Sequence, residues 1–143
     1  MFQPSQHDVR RFFCQVRRKL REGLPLDAME AQAAPWIAEH PEYHAELDDE
    51  AQALEARYDV DAGRTNPFLH LAMHLSITEQ LAIDQPRGIR QAVELLAVRQ
   101  GSLHEAHHQV MECLGEMIWT SQRQGLPPDG QAYLEAVRRR ATR

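Results

Sequence analysis

The sequence predicts an all-α protein, a single-domain bundle of six to seven helices over residues 1–143. Three observations support this fold class. Every segment with regular hydrophobic spacing repeats at three to four residues, as one face of a helix does, and no segment shows the two-residue alternation of a strand. The length of 143 residues is enough to bury the core of one domain. No internal repeat or low-complexity linker divides the chain.

The first three predicted helices span residues 5–23, 27–40 and 41–57. The first two begin with capping boxes, in which a Ser or Asp is followed three residues later by an acidic side chain, and the first ends at a glycine. Pro35 lies inside the second helix, so we expect this helix to kink or break there. Pro41 suits the first turn of the third helix.

A loop is predicted at residues 58–65, and four helices follow it. Capping residues, prolines and glycines set their bounds, which are 66–84, 86–101, 102–125 and about 129–140. The fourth helix of the chain (66–84) is apolar on almost every side, and a helix without a polar face belongs in the middle of a bundle.

The composition indicates a cytoplasmic protein without a membrane segment. The first residues lack the apolar run of a signal peptide, and no apolar stretch approaches the roughly 18 residues that cross a bilayer. The two cysteines, Cys14 and Cys113, lie far apart and outside any CxxC motif. Their placement argues against a disulfide scaffold and against a cysteine zinc site.

The net charge of −5 is unevenly distributed along the chain. Residues 1–26 carry six basic and two acidic side chains. Residues 27–84 carry two basic and thirteen acidic side chains, and residues 85–143 carry eight basic and six acidic ones. We therefore expect the basic first helix to lie against the acidic middle of the chain. No aromatic residues interleave its charged face, so the sequence does not support nucleic-acid binding. It identifies no partner and leaves homo-oligomerisation open.

Six of the eight histidines form HxxxH pairs, and this spacing places two imidazoles on one helix face. A helix uses the same spacing to chelate a first-row transition metal through neutral ring nitrogens. The pairs are His40/His44, His70/His74 and His104/His108. The first pair straddles a helix start, and we interpret its members as capping or surface residues.

The other two pairs predict a mononuclear metal site between the fourth and sixth helices. His70 and His74 lie among apolar residues, where buried imidazoles need partners for both nitrogens. In the sixth helix, His104, His108 and Glu112 follow one another at intervals of four residues. If the two helices pack together, two to five of these ligands converge, chiefly His70, His74, His108 and Glu112, with His104 as a further option. Imidazole with carboxylate ligands suits Zn, Fe, Mn or Ni.

Two other interpretations of these residues stay open. The histidines could form a buried hydrogen-bond network in a non-enzymatic interaction or structural module. Alternatively, His104-Glu105-x-x-His108 matches the H-E-x-x-H motif of zinc-dependent hydrolases. The chain lacks predicted strands, and Glu105 lies in the first turn of its helix, where a capping role suffices. A second ExxH is missing, which argues against a dinuclear site.

The helical spacing of the first helix also bears on Cys14. Four arginines lie three or four residues from it, namely Arg10, Arg11, Arg17 and Arg18. Nearby cations favour the thiolate, so we expect the pKa of Cys14 to lie below the free value of about 8.5. Acidic neighbours have the opposite effect on Cys113, and Cys14 is expected to be alkylated faster.

Four long segments resemble a family of short bacterial proteins classed as a domain of unknown function. They are MFQPSQHDVRRFFC, WIAEHPEYH, NPFLHLAMHLSITEQLAIDQPRGIR and HHQVMECLGEMIWTSQRQGLPPDGQAYLEAV. The resemblance extends over nearly the whole chain. It implies a stand-alone bacterial cytoplasmic protein, and it implies no activity, cofactor or ligand set.

Overall fold

The computed structural model describes residues 5–58 and 66–142, and these residues contain eight α-helices, one 3₁₀ helix and no strand. In order they are α1 (Gln6–Glu22), α2 (Ala28–Ala38), the 3₁₀ helix (Pro41–Tyr43), α3 (His44–Leu47), α4 (Glu50–Glu55), α5 (Pro67–Ile83), α6 (Ile89–Gln100), α7 (Leu103–Gln124) and α8 (Gly130–Thr142). The all-α class is confirmed, with more helices than the six to seven expected. Most of the loop predicted at 58–65 lies outside the described residues.

The additional helices arise because the helix predicted over 41–57 is divided at Asp48 and Asp49. The Asp49 carboxylate accepts a hydrogen bond from the backbone N–H of Gln52 and thereby starts α4 anew. The Asp48 carboxylate accepts a hydrogen bond of 2.9 Å from Arg17 of α1. Such side-chain bonds compete with continuation of a helix, and the hydrophobic spacing of 41–57 does not reveal them.

The capping predictions for α1 and α2 are confirmed. Both helices begin with complete capping boxes, at Ser5 and at Asp27, and α1 ends at Gly23 in the left-handed conformation that glycine favours. The α-helix continues through Pro35 to Ala38, so the expected break does not occur. A proline removes only one backbone donor, and the next bond, from the N–H of Glu39 to the Pro35 carbonyl, is made at 3.0 Å.

The helix predicted to open at Pro86 begins three residues later, at Ile89. The chain turns first, with Asp84 at φ 53° and Gly88 at φ 101°. The Asp84 carboxylate accepts hydrogen bonds from the backbone N–H groups of Gly88 and Arg90, and these bonds lower the pKa of Asp84. The turn is therefore fixed by a side chain that the sequence prediction had assigned to the preceding helix.

Contacts within the chain divide it into two compact units, Met1–Leu75 and Ser76–Arg143, and the boundary falls inside α5. The core of the first unit consists of large apolar side chains, chiefly Phe13, Val16, Ile37, Leu47, Phe68 and Leu71. In the second unit α6, α7 and α8 pack together. Their buried residues include Ile89, Val93, Leu96, Val110, Leu114, Leu134 and Val137. The single-domain organisation stays a prediction.

In the first unit, the basic α1 lies against acidic residues of the segment that follows it, as its charge distribution predicts. The ion pairs include Lys19–Glu30 at 2.8 Å, Arg17–Asp48 at 2.9 Å and Arg11–Glu50 at 3.5 Å. These contacts are local consequences of the charge segregation and do not require an external partner.

Helix α5 buries one stripe rather than every side. After the buried Pro67 at its start, its buried residues recur at intervals of three, at Phe68, Leu71, His74 and Ile77. Leu69 and Ile83 are 59% and 67% exposed, so the prediction that this helix has no solvent-facing side is wrong at these positions. No helix within the described ranges combines the length and the apolar character needed to cross a bilayer.

Candidate metal centre

The turn between α2 and α3 presents a buried histidine. Pro41 begins a 3₁₀ helix, in which side chains three residues apart lie one above the other. His40 and Tyr43 accordingly stack, with ring centroids 5.1 Å apart and planes inclined by 13°. The Tyr43 backbone N–H donates to the His40 carbonyl at 3.0 Å, and His40 is only 4% exposed. The turn thus holds the imidazole plane in one orientation.

Each ring nitrogen of His40 has a different neighbour. The Nδ1 atom lies 2.8 Å from Oε2 of Glu42, and a carboxylate at this distance accepts the Nδ1–H hydrogen bond. That bond lowers the pKa of Glu42. The Nε2 atom lies 3.1 Å from Nε2 of His74, which reaches it from α5, 34 residues further along the chain.

Two histidines of α5 complete this group. His74 is fully buried, and its ring stacks on Trp36 of α2 with centroids 4.2 Å apart and planes inclined by 8°. The half-buried ring of His70 lies 4.9 Å from that of His74 and 4.7 Å from that of His40, measured between centroids. We call His40, His70 and His74 the His40 cluster, and all of it lies in the first unit.

The spacing of the two Nε2 atoms fits a metal site. Two nitrogens bound to one ion at about 2.0–2.1 Å are separated by roughly 2.8–3.4 Å when they are neighbours in octahedral or tetrahedral geometry. The Nε2 atoms of His40 and His74 are already 3.1 Å apart. The distance between the two nitrogens therefore needs little change for both of them to bind one ion.

The second unit contains a histidine pair on α7. The rings of His104 and His108 lie 4.4 Å apart between centroids, and a ring nitrogen of one lies within 4.8 Å of a ring nitrogen of the other. Histidines in each unit therefore lie close enough to a neighbour in the same unit to bind a metal ion. The backbone N–H of Glu105 donates to Ser102 Oγ at the start of α7, while its side chain is exposed. This is the capping environment that weakens the hydrolase interpretation.

The remaining predicted ligand, Glu112, has another partner. Its exposed carboxylate accepts a hydrogen bond from Arg140 and connects α7 to α8 within the second unit. The structure thus brings together the predicted pairs His70/His74 and His104/His108 within their own units, while Glu112 is engaged elsewhere. That the two helices share one ion stays a prediction.

Sequence reasoning missed the role of His40. The interpretation of this residue as a capping or surface histidine is wrong, because it is buried against His74. Its pair partner His44 does cap a helix, since its Nε2 lies 2.9 Å from the carbonyl of Ile37 near the end of α2. The sequence did contain a signal for this role, namely Pro41, which begins the 3₁₀ helix, and Glu42, whose carboxylate accepts the hydrogen bond from His40.

A second histidine that the pattern did not single out is His107, which is buried in the second unit. Burial disfavours its charged form and, together with the neighbouring His104 and His108, lowers the pKa of His107 to about 4. It is therefore neutral at physiological pH.

The prediction of an acidic Cys14 thiol is wrong. Cys14 is buried in the core of the first unit, and burial together with the nearby Glu50, Asp48 and Asp49 raises its pKa to about 11. The arginines act elsewhere: Arg17 pairs with Asp48, and Arg10 donates to backbone carbonyls. Burial also raises the pKa of Cys113.

We therefore expect both cysteines to resist alkylation in the folded protein. A thiol with a pKa near 11 holds about 100-fold less thiolate at neutral pH than one near 9, and burial further restricts access. Timed iodoacetamide labelling followed by peptide mass spectrometry measures this, and protein unfolded in urea serves as the reactive control. Labelling of Cys14 at equal rates in folded and unfolded protein would contradict the burial of the thiol.

The comparisons with known proteins concern the whole chain rather than the site. The family described as "Domain of unknown function (DUF1841)" matches residues 5–139 of the 143, a range that contains the His40 cluster, the α7 pair and Glu112. No curated protein and no solved structure matches the chain. Because the match covers nearly its full length, this chain belongs to the DUF1841 family, a domain of unknown function.

Proposed function

We propose that this protein binds a first-row transition-metal ion, with His40 and His74 supplying Nε2 ligands. The observation that carries the proposal is the separation of 3.1 Å between these two nitrogens at buried rings. Each ring is also fixed in orientation, one by stacking on Tyr43 and the other by stacking on Trp36. A chelating pair that is rigid before binding loses little entropy when an ion arrives.

The alternative function is a structural module in which the histidines form a buried hydrogen-bond network. In the proposed metal-binding protein, the same network is the metal-free state of these residues. A contact of 3.1 Å between two imidazole nitrogens needs one proton between them. Because Nδ1 of His40 already carries a proton for Glu42, a neutral His40 accepts at Nε2 and His74 donates. Binding of one ion by both Nε2 atoms requires that the His74 proton move to Nδ1 of the same ring, so that His74 also presents a lone pair at Nε2. The alternative, a structural module with no metal, keeps the proton in place.

The donor set narrows the candidate metals. The His40 cluster offers imidazole nitrogens, while the Glu42 oxygen is occupied by His40. Among the four metals that the sequence suggests, imidazole ligation favours Zn, Fe and Ni over Mn, which prefers oxygen ligands. The half-buried His70, whose ring lies close to those of His40 and His74, is a further imidazole of the first unit.

The number of ions bound per chain depends on whether His104 and His108, the histidine pair of α7, share an ion with the histidines of α5. The sequence predicts that His104 and His108 contribute to the same ion as the histidines of α5, which requires one ion per chain. Two independent pairs would instead bind two ions per chain, and His108→Ala would then remove only one of them. Metal stoichiometry in the wild type and in this variant therefore tests the shared site.

The test of metal binding uses untagged protein purified without chelators, with metal measured by inductively coupled plasma mass spectrometry. We expect close to one transition-metal ion per chain. Removing a ligand held at about 100 times its Kd costs about 2.7 kcal/mol of stability, so EDTA should lower the Tm by about 5–10 °C. His74→Ala should abolish both the bound metal and the effect of EDTA.

A matched control is His7→Ala, because His7 is an exposed histidine on α1. This variant should retain the metal content and the EDTA response of the wild type. A metal-free wild type whose melting curve does not change with Zn, Fe, Mn or Ni would contradict metal binding. The histidines would then serve the hydrogen-bond network.

A further inference from the structure

We infer that Glu42 is a positioning residue for the metal, because its carboxylate fixes the tautomer of His40 in which Nε2 is unprotonated and can act as a ligand. This inference rests on the proposed function and adds a residue that does not itself touch the ion. The contact that carries it is the hydrogen bond of 2.8 Å between Nδ1 of His40 and Oε2 of Glu42.

The tautomer matters because only an unprotonated nitrogen can coordinate a metal. A neutral imidazole carries one proton, and the hydrogen bond made by one nitrogen determines which nitrogen holds it. A carboxylate accepts hydrogen bonds and cannot donate one when ionised, so Glu42 requires the proton at Nδ1. The lone pair then lies at Nε2, the atom that faces His74.

The backbone of the turn explains why Glu42 can do this without entering the site. It lies two residues after His40 inside the 3₁₀ helix, and its side chain is 58% exposed whereas the His40 ring is buried. The two nitrogens of an imidazole point away from each other, so a carboxylate bound at Nδ1 lies on the far side of the ring from an ion at Nε2. Stacking on Tyr43 fixes the plane of the ring, and Glu42 fixes its protonation.

This arrangement matches the general behaviour of metal-bound histidines, whose second nitrogen donates to a carboxylate or carbonyl. Loss of such a partner weakens metal binding by about 10- to 100-fold. Glu42→Ala should therefore raise the Kd for zinc by about that factor while the stoichiometry at saturating zinc stays unchanged. Glu42→Gln should have a smaller effect, because its amide oxygen still accepts the Nδ1–H bond.

The experiment combines a metal-free measurement with a metal titration. Long-range ¹H–¹⁵N correlation spectra of the metal-free protein report the tautomer of His40, which should be Nδ1–H in the wild type and should shift towards Nε2–H in Glu42→Ala. Competition with a chelator gives the Kd for zinc of the same samples. Glu55→Gln, which changes an exposed carboxylate on α4, is the matched control and should alter neither readout.

The possible outcomes separate this inference from the proposed function. If Glu42→Ala keeps both the Nδ1–H tautomer and the wild-type Kd while His74→Ala loses zinc, Glu42 has no positioning role and metal binding stands. If Glu42→Ala cannot be saturated with zinc, Glu42 is itself a ligand, and the positioning role is again overturned. A wild type that binds no zinc overturns both proposals.

Discussion

Arg10→Ala is expected to lower the free energy of unfolding by about 3 kcal/mol, since hydrogen bonds from charged donors contribute about 1.5–3 kcal/mol each. Arg10 is buried in the first unit, and its Nη1 donates to the carbonyls of Ala53 at 2.8 Å and Ala56 at 2.7 Å. These carbonyls belong to the end of α4, where a helix has no backbone donors left to satisfy them. Alanine would leave both carbonyls without this donor.

The guanidinium of Arg10 also lies close to two aromatic rings. Its central carbon is 5.3 Å from the ring centroid of Tyr58 and 5.5 Å from that of Phe68. A cation over aromatic faces is stabilised by about 0.5–2 kcal/mol, more when it is removed from water. This contact provides a favourable environment for a buried charge that has no carboxylate partner among the described residues. Arg10→Ala would remove it together with the hydrogen bonds and leave a cavity.

Urea unfolding of two further variants, Arg10→Lys and Arg11→Ala, tests this explanation. Arg10→Lys keeps the charge but lacks the planar fork of the guanidinium, so it should recover only part of the lost stability. Arg11→Ala is the matched control. Arg11 is adjacent on α1, and its ion pairs with Asp8 and Glu50 are exposed, so its loss should cost less than about 1 kcal/mol. Equal losses for Arg10→Ala and Arg11→Ala would show that the buried contacts of Arg10 add nothing.

Much of the helical fold follows from short stretches of sequence. The starts of α1, α2 and α7 depend on a capping residue and the backbone N–H three residues later, and both groups are visible in the sequence. The division of the 41–57 segment could not be predicted in this way. It involves Asp48, whose partner Arg17 lies 31 residues earlier, and such distant contacts leave no mark on helical spacing.

The same distinction applies to the candidate site. The pairs His70/His74 and His104/His108 were predictable because the period of one helix brings their rings together. The contact between His40 and His74 joins residues 34 positions apart and depends on the packing of the first unit. Arg10 shows the same limit, because helical spacing placed it on a charged face near Cys14 whereas packing buries it.

The stability of the metal-free protein is expected to fall as the pH drops from about 6.5 to 4, and His107 should contribute about 2–3 kcal/mol to this fall, at 1.36 kcal/mol per pKa unit. Burial lowers the pKa of His107 from 6.5 to about 4 in the folded state. Between these two values the unfolded chain binds a proton at this residue and the folded chain does not. Acid therefore favours unfolding, and the contribution of His107 is fully present only above pH 6.5.

The contribution of His107 is measured by comparing how strongly the free energy of unfolding depends on pH in the wild type and in His107→Gln. The free energy of unfolding should be measured with EDTA present at pH 7.5 and at pH 4.5, so that bound metal does not contribute. His107→Gln removes the titrating group, so its loss of stability between the two pH values should be smaller than that of the wild type by about 2–3 kcal/mol. His7→Gln changes an exposed histidine and should retain the wild-type difference. If His107→Gln loses as much stability between pH 7.5 and pH 4.5 as the wild type does, the pKa of His107 is not lowered in the folded protein. Burial then does not keep this residue neutral.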